Sequence, residues 1–134
     1  MLAATFSLSA PVIAGCGQEQ GEGSGVTPSD PPSEITITVT VDRDAAPTTW
    51  RLRCDPFGGD HPNPTAACLA LNSTEYPFAP VPADRMCAQI YGGPHTAIIA
   101  GTWHGQQVHA EYNRTDGCEI ERWDKLADVF GQEV

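Results

Sequence analysis

The chain has 134 residues, with 7 Lys and Arg against 17 Asp and Glu, a formal charge of −10 and a pI near 4.5; that balance excludes phosphate backbones and anionic membrane surfaces as electrostatic partners. Its length fits one domain of about 100 residues plus an extra segment. No run of 18 apolar residues occurs, so no membrane-crossing helix is expected.

The first 16 residues carry no charged side chain. Leu2 to Leu8 and then Val12-Ile13-Ala14 form a short apolar stretch, too short to span and of the kind found in export signals. A basic flank is missing, as it would be if the natural start lay upstream of Met1. The stretch ends in Ile13-Ala14-Gly15-Cys16, which resembles a bacterial lipobox, where the Cys becomes the first mature residue and carries the lipid. On this reading residues 1–15 are a lipoprotein-type signal peptide and Cys16 is acylated. Residues 16–34, rich in Gln, Glu, Gly, Ser, Thr and Pro, are then a disordered tether between bilayer and domain.

The cysteine count points the same way. Five is odd, and an unpaired thiol in an exported protein needs an explanation. With Cys16 acylated, Cys54, Cys68, Cys87 and Cys118 remain as an even set for two disulfides. Three pairings are open; spacing favours Cys54 with Cys68 as a local loop and Cys87 with Cys118 as a longer one. A zinc site is disfavoured because no CxxC pair is present.

The folded domain is expected over residues 35–134. Residues 35–41, ITITVTV, alternate with apolar side chains on the odd positions and are β-branched throughout, the pattern of a half-buried strand. A turn follows over 42–47. Trp50 and Leu52 then alternate with Arg51 and Arg53 in a second strand ending at Cys54, predicting an antiparallel hairpin. Residues 55–64 are too dense in Pro and Gly for regular structure. Asn63 and Pro64 suit an N-cap and first helical position, opening a short helix through Leu71.

Residues 76–82 are a Pro-rich loop. Residues 96–103 read as a third strand, His104-Gly105 as a tight turn with Gly at a positive-φ position, and residues 106–113 as the return strand with Val108, Ala110 and Tyr112 on one face. Ile120, Trp123, Leu126 and Val129 recur at helical spacing over 118–129, a face to lay against the sheet. The sum is an α+β fold, an antiparallel sheet of about five strands with two helices packed against it. Trp50, Trp103 and Trp123 are assigned to the core.

Between the Pro-rich loop and the third strand lies Arg85-Met86-Cys87-Ala88-Gln89-Ile90-Tyr91-Gly92-Gly93-Pro94. A half-cystine sits two residues before Gln89, and an aromatic, small residues and a Pro follow. This is the composition of a short loop that must stay extended and rigid, suited to offering a protease a peptide bond.

Cys54-Asp55-Pro56, Gly58-Gly59, His61-Pro62 and Cys68 together resemble the Streptomyces subtilisin inhibitor family. So do Met86-Cys87-Ala88-Gln89-Ile90-Tyr91 with Pro94, Gly101-Thr102-Trp103-His104-Gly105, the position of Cys118, and Val129-Phe130. The resemblance covers about residues 35–130. It implies a secreted inhibitor of subtilisin-like serine proteases, usually a homodimer, that is not an enzyme and uses no cofactor and no metal. It implies disulfides Cys54–Cys68 and Cys87–Cys118 and a reactive bond between Gln89 and Ile90. Gln89 would enter the primary specificity pocket, with Ala88, Cys87 and Met86 upstream in the second, third and fourth subsites and Tyr91 a further protease contact. With Cys16 acylated the inhibitor would be a cell-surface lipoprotein, touching the membrane only through its lipid; free secretion is the alternative.

Three departures from the family stand out. Gln89 occupies a position commonly Met or Lys, which bears on the target. Gly92-Gly93 lengthens the stretch after Tyr91, and Asp116-Gly117 replaces a usual Asn-Glu, both bearing on loop rigidity. The Gly92-Gly93 insertion is also the feature that would favour the alternative function, a non-inhibitory extracytoplasmic binding or assembly module on the same scaffold. Gln89, uncharged, argues against strong trypsin inhibition, since it cannot pair with the Asp of a trypsin-like pocket. Met86 suits an apolar fourth subsite. His61, His95, His104 and His109 fall in different elements and read as surface residues, with His61-Pro62 structural. Asn72-Ser73-Thr74 and Asn113-Arg114-Thr115 fit a glycosylation pattern that a lipobox-bearing chain has no use for. No nucleophile elbow, phosphate loop or dinucleotide fingerprint is present.

Overall fold

In the computed structural model, which describes residues 33–131, five strands form one antiparallel sheet in the order β3-β2-β1-β4-β5. The signal segment, Cys16 and all but the last two residues of the expected tether lie outside the described residues.

β1 (Ser33–Thr40) is the central strand and begins two residues ahead of expectation. Its alternation is realised as burial: Ile35, Ile37 and Val39 are at most 3% exposed, while Thr36, Thr38 and Thr40 line the other face. It pairs on one side with β2 (Thr48–Cys54), placing Ile37 opposite Trp50, and on the other with β4 (Thr96–Trp103), placing Ile37 opposite Ile99. β4 turns into β5 (Gln106–Asn113) through His104-Gly105, where both residues have positive φ, 49° and 84°, the demand of a type I′ hairpin.

β3 (Gly58–Gly59) corrects the expectation that residues 55–64 hold no regular structure. It is possible because Gly59, at φ 100°, lacks a Cβ that would collide with the Arg51 carbonyl, so the backbone closes onto the edge of β2.

One face of the sheet is covered by the two helices. α1 (Pro64–Ser73) starts as the sequence implies, with Pro64 at its first turn and the Asn63 side chain accepting from the Ala66 N–H at 3.2 Å. It buries Ala67, Cys68 and Leu71. α2 (Gly117–Lys125) is capped by Asp116, whose carboxylate accepts from the Glu119 N–H at 2.9 Å; Glu119 stands in its first turn and Arg122 and Lys125 in its last, matching the helix dipole.

α2 is shorter than the expected 118–129. Beyond Lys125 the chain winds more tightly, with bonds such as Leu126 N–H to Trp123 O at 2.9 Å and Val129 N–H to Leu126 O at 2.8 Å. In such winding residues three apart eclipse, so Trp123, Leu126 and Val129 all turn inward, each at most 1% exposed, with Phe130 beside them. Ile120, still on the regular helix, is directed elsewhere and packs near Gly92. Trp123 is core as expected, whereas Trp50 and Trp103 are only partly buried at its rim.

Both disulfides form as anticipated, Cys54–Cys68 and Cys87–Cys118, with Cα separations of 5.8 and 5.3 Å. His61 is a correction to the surface assignment: it is 4% exposed. Its Nδ1 accepts from the Asn63 N–H at 2.9 Å and its Nε2 lies 2.8 Å from the Val129 carbonyl. The neutral ring with its proton on Nε2 satisfies both, stitching the start of α1 to the C-terminal turns.

Candidate functional site

The approach to the Gln89 segment is fixed first. Tyr112 of β5 sits in the core and donates its hydroxyl to the Pro77 carbonyl at 2.8 Å. Arg122 of α2 lies 4.1 Å above the Tyr112 ring and donates from Nε to the Ala79 carbonyl at 2.9 Å. Its Nη1 reaches the Glu111 carbonyl at 2.8 Å and the Glu119 carboxylate at 3.1 Å. Burial pushes the Tyr112 phenol well above its ordinary value of 10.0, with Glu119 adding to the rise and the Arg122 cation opposing it. The Pro-rich run is thus tied to the body at Pro77 and Ala79, two carbonyls that Pro-rich backbone cannot satisfy within itself.

From Arg85 to Tyr91 the chain is irregular and projects outward. Met86 is 90% exposed, Ile90 56% and Tyr91 67%, and Ala88 and Gln89 are exposed as well. The same segment is held from behind. The Cys87–Cys118 disulfide joins it to the first turn of α2. The Ala88 carbonyl accepts from the Gly117 N–H at 2.8 Å. Further on, the Gly92 N–H donates to the Arg114 carbonyl at 2.7 Å, and Arg114 Nε donates to the Gly92 carbonyl at 3.1 Å. Every one of these partners lies within residues 114–118, so one short stretch fastens both flanks of Gln89.

The segment departs from a uniformly extended strand at one point. The Ile90 N–H donates to the Ala88 carbonyl at 2.9 Å, closing a three-residue turn with Gln89 at its apex. The Ala88 carbonyl therefore accepts two bonds. Among the described residues nothing donates to the Gln89 carbonyl, which leaves it open to donors from outside.

Met86, Ala88, Gln89, Ile90 and Tyr91 are thereby brought onto one exposed loop, as the sequence implied. Of the supporting residues the Cys87–Cys118 bridge was anticipated, whereas the role of Arg114 was not legible. Arg114 belongs to the Asn113-Arg114-Thr115 triplet, whose Asn and Thr are paired to each other, Asn113 Oδ1 accepting from Thr115 Oγ1 at 2.7 Å. Gly117 and Gly92 carry a recognisable signal, glycine where two chains must approach, although the sequence does not name the other chain. A Cβ on Gly117 would stand 3.1 Å from the Ala88 Cβ, and one on Gly92 would stand 2.8 Å from Ile120 Cδ1. The two departures that bear on rigidity are thus the places where the loop docks on α2. Cys87, Asp116 and Cys118 cluster, but both sulfurs are spent in the disulfide and offer no thiolate to a metal.

The profile of the family described as subtilisin inhibitor-like matches residues 31–115. Subtilisin inhibitor-like protein 1 of Streptomyces cacaoi is 33% identical over 107 residues, 74% of this chain and 94% of that protein. Subtilisin inhibitor-like protein 8 of Streptomyces virginiae is 37% identical over 99 residues, 66% of this chain and 87% of that protein. Among solved structures, Streptomyces caespitosus sermetstatin in complex with Bacillus licheniformis subtilisin aligns at 24% identity and a TM-score of 0.49, over 75% of this chain and 98% of that one.

Proposed function

The chain belongs to the subtilisin inhibitor-like family, a family of protease inhibitors and not of enzymes, and on that premise we propose that it inhibits subtilisin-like serine endopeptidases as a substrate mimic. Gln89 and Ile90 flank the bond offered, Gln89 fills the primary pocket, Met86 is the anchor in the fourth subsite, and Ala88 and Tyr91 complete the contact. The observation that carries this reading is an exposed apex at Gln89 whose two flanks are fastened to residues 114–118.

The physical reason follows from entropy. An ordinary peptide loses conformational freedom when a protease draws it into its cleft; a loop already fixed loses less and binds more tightly. The open Gln89 carbonyl is the group an oxyanion hole addresses. The Ser, the His and the oxyanion hole all belong to the protease. The Gly92-Gly93 insertion does not favour a non-inhibitory module, because Gly92 is one of the anchored residues.

The reading extends to the cell surface. Acylation at Cys16 would tie the domain to the membrane through the chain that enters β1 at Ser33. Thr40, at the other end, pairs with Thr96, which the Gln89 loop enters and which lies opposite Asn113, next to Arg114. The length of β1, about 23 Å, therefore separates the strand end where the tether would join from the end the loop approaches. Its open sheet face, with Ile98 39% exposed, suits a second copy.

Titrating subtilisin with the purified chain tests the core of the proposal. Near-stoichiometric loss of activity, abolished by Gln89→Pro, is expected; rapid digestion of the loop as a plain substrate would defeat it. Mass spectrometry of the exported N-terminus tests Cys16, and an unmodified thiol there ends the anchor proposal.

A further inference from the structure

We infer that Arg114 is a positioning residue for the reactive bond: it holds the chain on the carboxyl side of Gln89–Ile90 so that, once cleaved, the new amine stays in place to re-form the bond. This rests on the inhibitory reading above.

The two flanks of the bond are held by different means. On the amino side stand the Cys87–Cys118 disulfide and the Ala88 carbonyl bonded to the Gly117 N–H. On the carboxyl side, among the described residues, the hydrogen bonds between Ile90 and β4 are those of Gly92, and both go to one residue: N–H to Arg114 O at 2.7 Å and C=O from Arg114 Nε at 3.1 Å. Arg114 thus saturates both backbone groups of a residue two positions past Ile90.

The guanidinium is itself fixed. Its side chain is 14% exposed, Nη1 donates to Asp124 Oδ1 at 3.1 Å, and Cζ lies 5.8 Å from the centre of the Trp123 ring. Arg114 therefore links Gly92 to α2 and, through Trp123, to the core. Gly92 is shaped for this contact: a Cβ there would stand 2.8 Å from Ile120 Cδ1 and 3.1 Å from Arg114 Nε.

The chemistry assigns this link a task. The protease Ser Oγ adds to the Gln89 carbonyl carbon, the bond to the Ile90 nitrogen breaks, and the enzyme His delivers a proton to the departing amine. A plain substrate's amine then diffuses off, and water takes the acyl group. Here the Ile90 amine is two residues from a fixed point. It attacks the acyl ester, returns its proton to the His, and restores both the peptide bond and the free Ser. Every bond broken is re-formed and no co-reactant is consumed. Losing the Arg114 side chain removes the donor to the Gly92 carbonyl and leaves Gly92 held only by its N–H on the residue-114 carbonyl; the new end is then looser, and hydrolysis gains on religation.

The full chain incubated with subtilisin tests this, reading residual protease activity over time and the equilibrium ratio of chain cut at Gln89–Ile90 to intact chain by mass spectrometry. Arg114→Met keeps the packing against Trp123 and removes the donors; Arg114→Ala removes both. The expected result is weaker initial inhibition, as a loosened loop requires, together with a cut-to-intact ratio raised about tenfold, the worth of one charge-assisted hydrogen bond, and activity returning over time. Arg114→Lys, which keeps a cationic donor, restores part of the durability. A purely structural role would lower the melting temperature without moving the ratio in protein still folded at the assay temperature. An unchanged ratio in folded Arg114→Met overturns the inference while leaving the inhibitory reading intact. So does failure of all three variants to fold, which would make Arg114 a folding residue. A wild-type chain that does not inhibit overturns both.

Discussion

Removing each disulfide in turn separates what holds the domain from what holds the loop. The bridges Cys54–Cys68 and Cys87–Cys118 close sequence separations of 14 and 31 residues. Loop-closure entropy gives them about 3 and about 3.7 kcal/mol respectively. Cys54 and Cys68 are 3% and 0% exposed, so replacing them with Ala adds a small cavity cost, and the two double variants should be destabilised within about 1 kcal/mol of each other. Each should melt about 15–30 °C below wild type. Their effects on inhibition should diverge. Freeing Cys87 returns backbone freedom to Met86 and Cys87 at about 1–2 kcal/mol per residue, while the Ala88 and Gly92 hydrogen bonds still limit the rest. The low end, about 2 kcal/mol, corresponds to inhibition weakened about 30-fold.

The measurement is an inhibition constant against subtilisin at a temperature below both melting transitions, with circular dichroism confirming the fold. The Cys54→Ala/Cys68→Ala variant should stay within about threefold of wild type, and the Cys87→Ala/Cys118→Ala variant should not. Equal losses in the two, or a greater loss in the first, would refute the claim that loop stiffness, rather than global stability, sets inhibition.

Gln89→Lys should confer trypsin inhibition, tightening binding at least 30-fold through the charge pair it makes possible, with melting unchanged because the side chain is exposed. Met86→Asp, at a position 90% exposed, should leave stability within about 0.5 kcal/mol and weaken subtilisin inhibition at least tenfold, as read from paired denaturation and inhibition curves. His61→Ala should cost about 2 kcal/mol in urea denaturation, since it strands the Val129 carbonyl in a buried site and removes the partner of the part-buried Asn63 N–H. In an alkaline absorbance titration Tyr112 should remain protonated well beyond the ordinary phenol value of 10.0. Burial favours its neutral form in the folded state, so that contribution is complete below the ordinary phenol value of 10.0 and is lost as pH climbs beyond it. A Tyr112 signal, identified by its loss in Tyr112→Phe, that ionises near 10.0 would overturn the buried assignment.

Much of the scaffold is written locally. The alternation of residues 35–41 fixes which face of β1 is buried, because the side-chain period of a strand is two and a one-residue slip would expose Ile35, Ile37 and Val39 together. Asn63-Pro64 and His104-Gly105 set a helix start and a hairpin turn through their own backbone preferences. The exposed loop from Met86 to Tyr91 was legible too, partly from its composition and partly from the motifs that resemble the family.

Other features depended on partners distant in sequence. His61 looked like a surface residue because nothing nearby announces that Val129 would meet its ring 68 positions later. The tighter winding after Lys125 answers the core's demand to bury Leu126, Val129 and Phe130 together, and helical periodicity alone cannot express that demand. The sequence by itself determined the four long strands, the helix caps and the exposed position of the loop, because each rests on periodicity or backbone preferences within a few residues. Only the tertiary structure decided that Arg114 and Gly117 would brace the two sides of the loop's apex, because a hydrogen bond across 22 or 29 residues exists only once the sheet and α2 have brought its ends together.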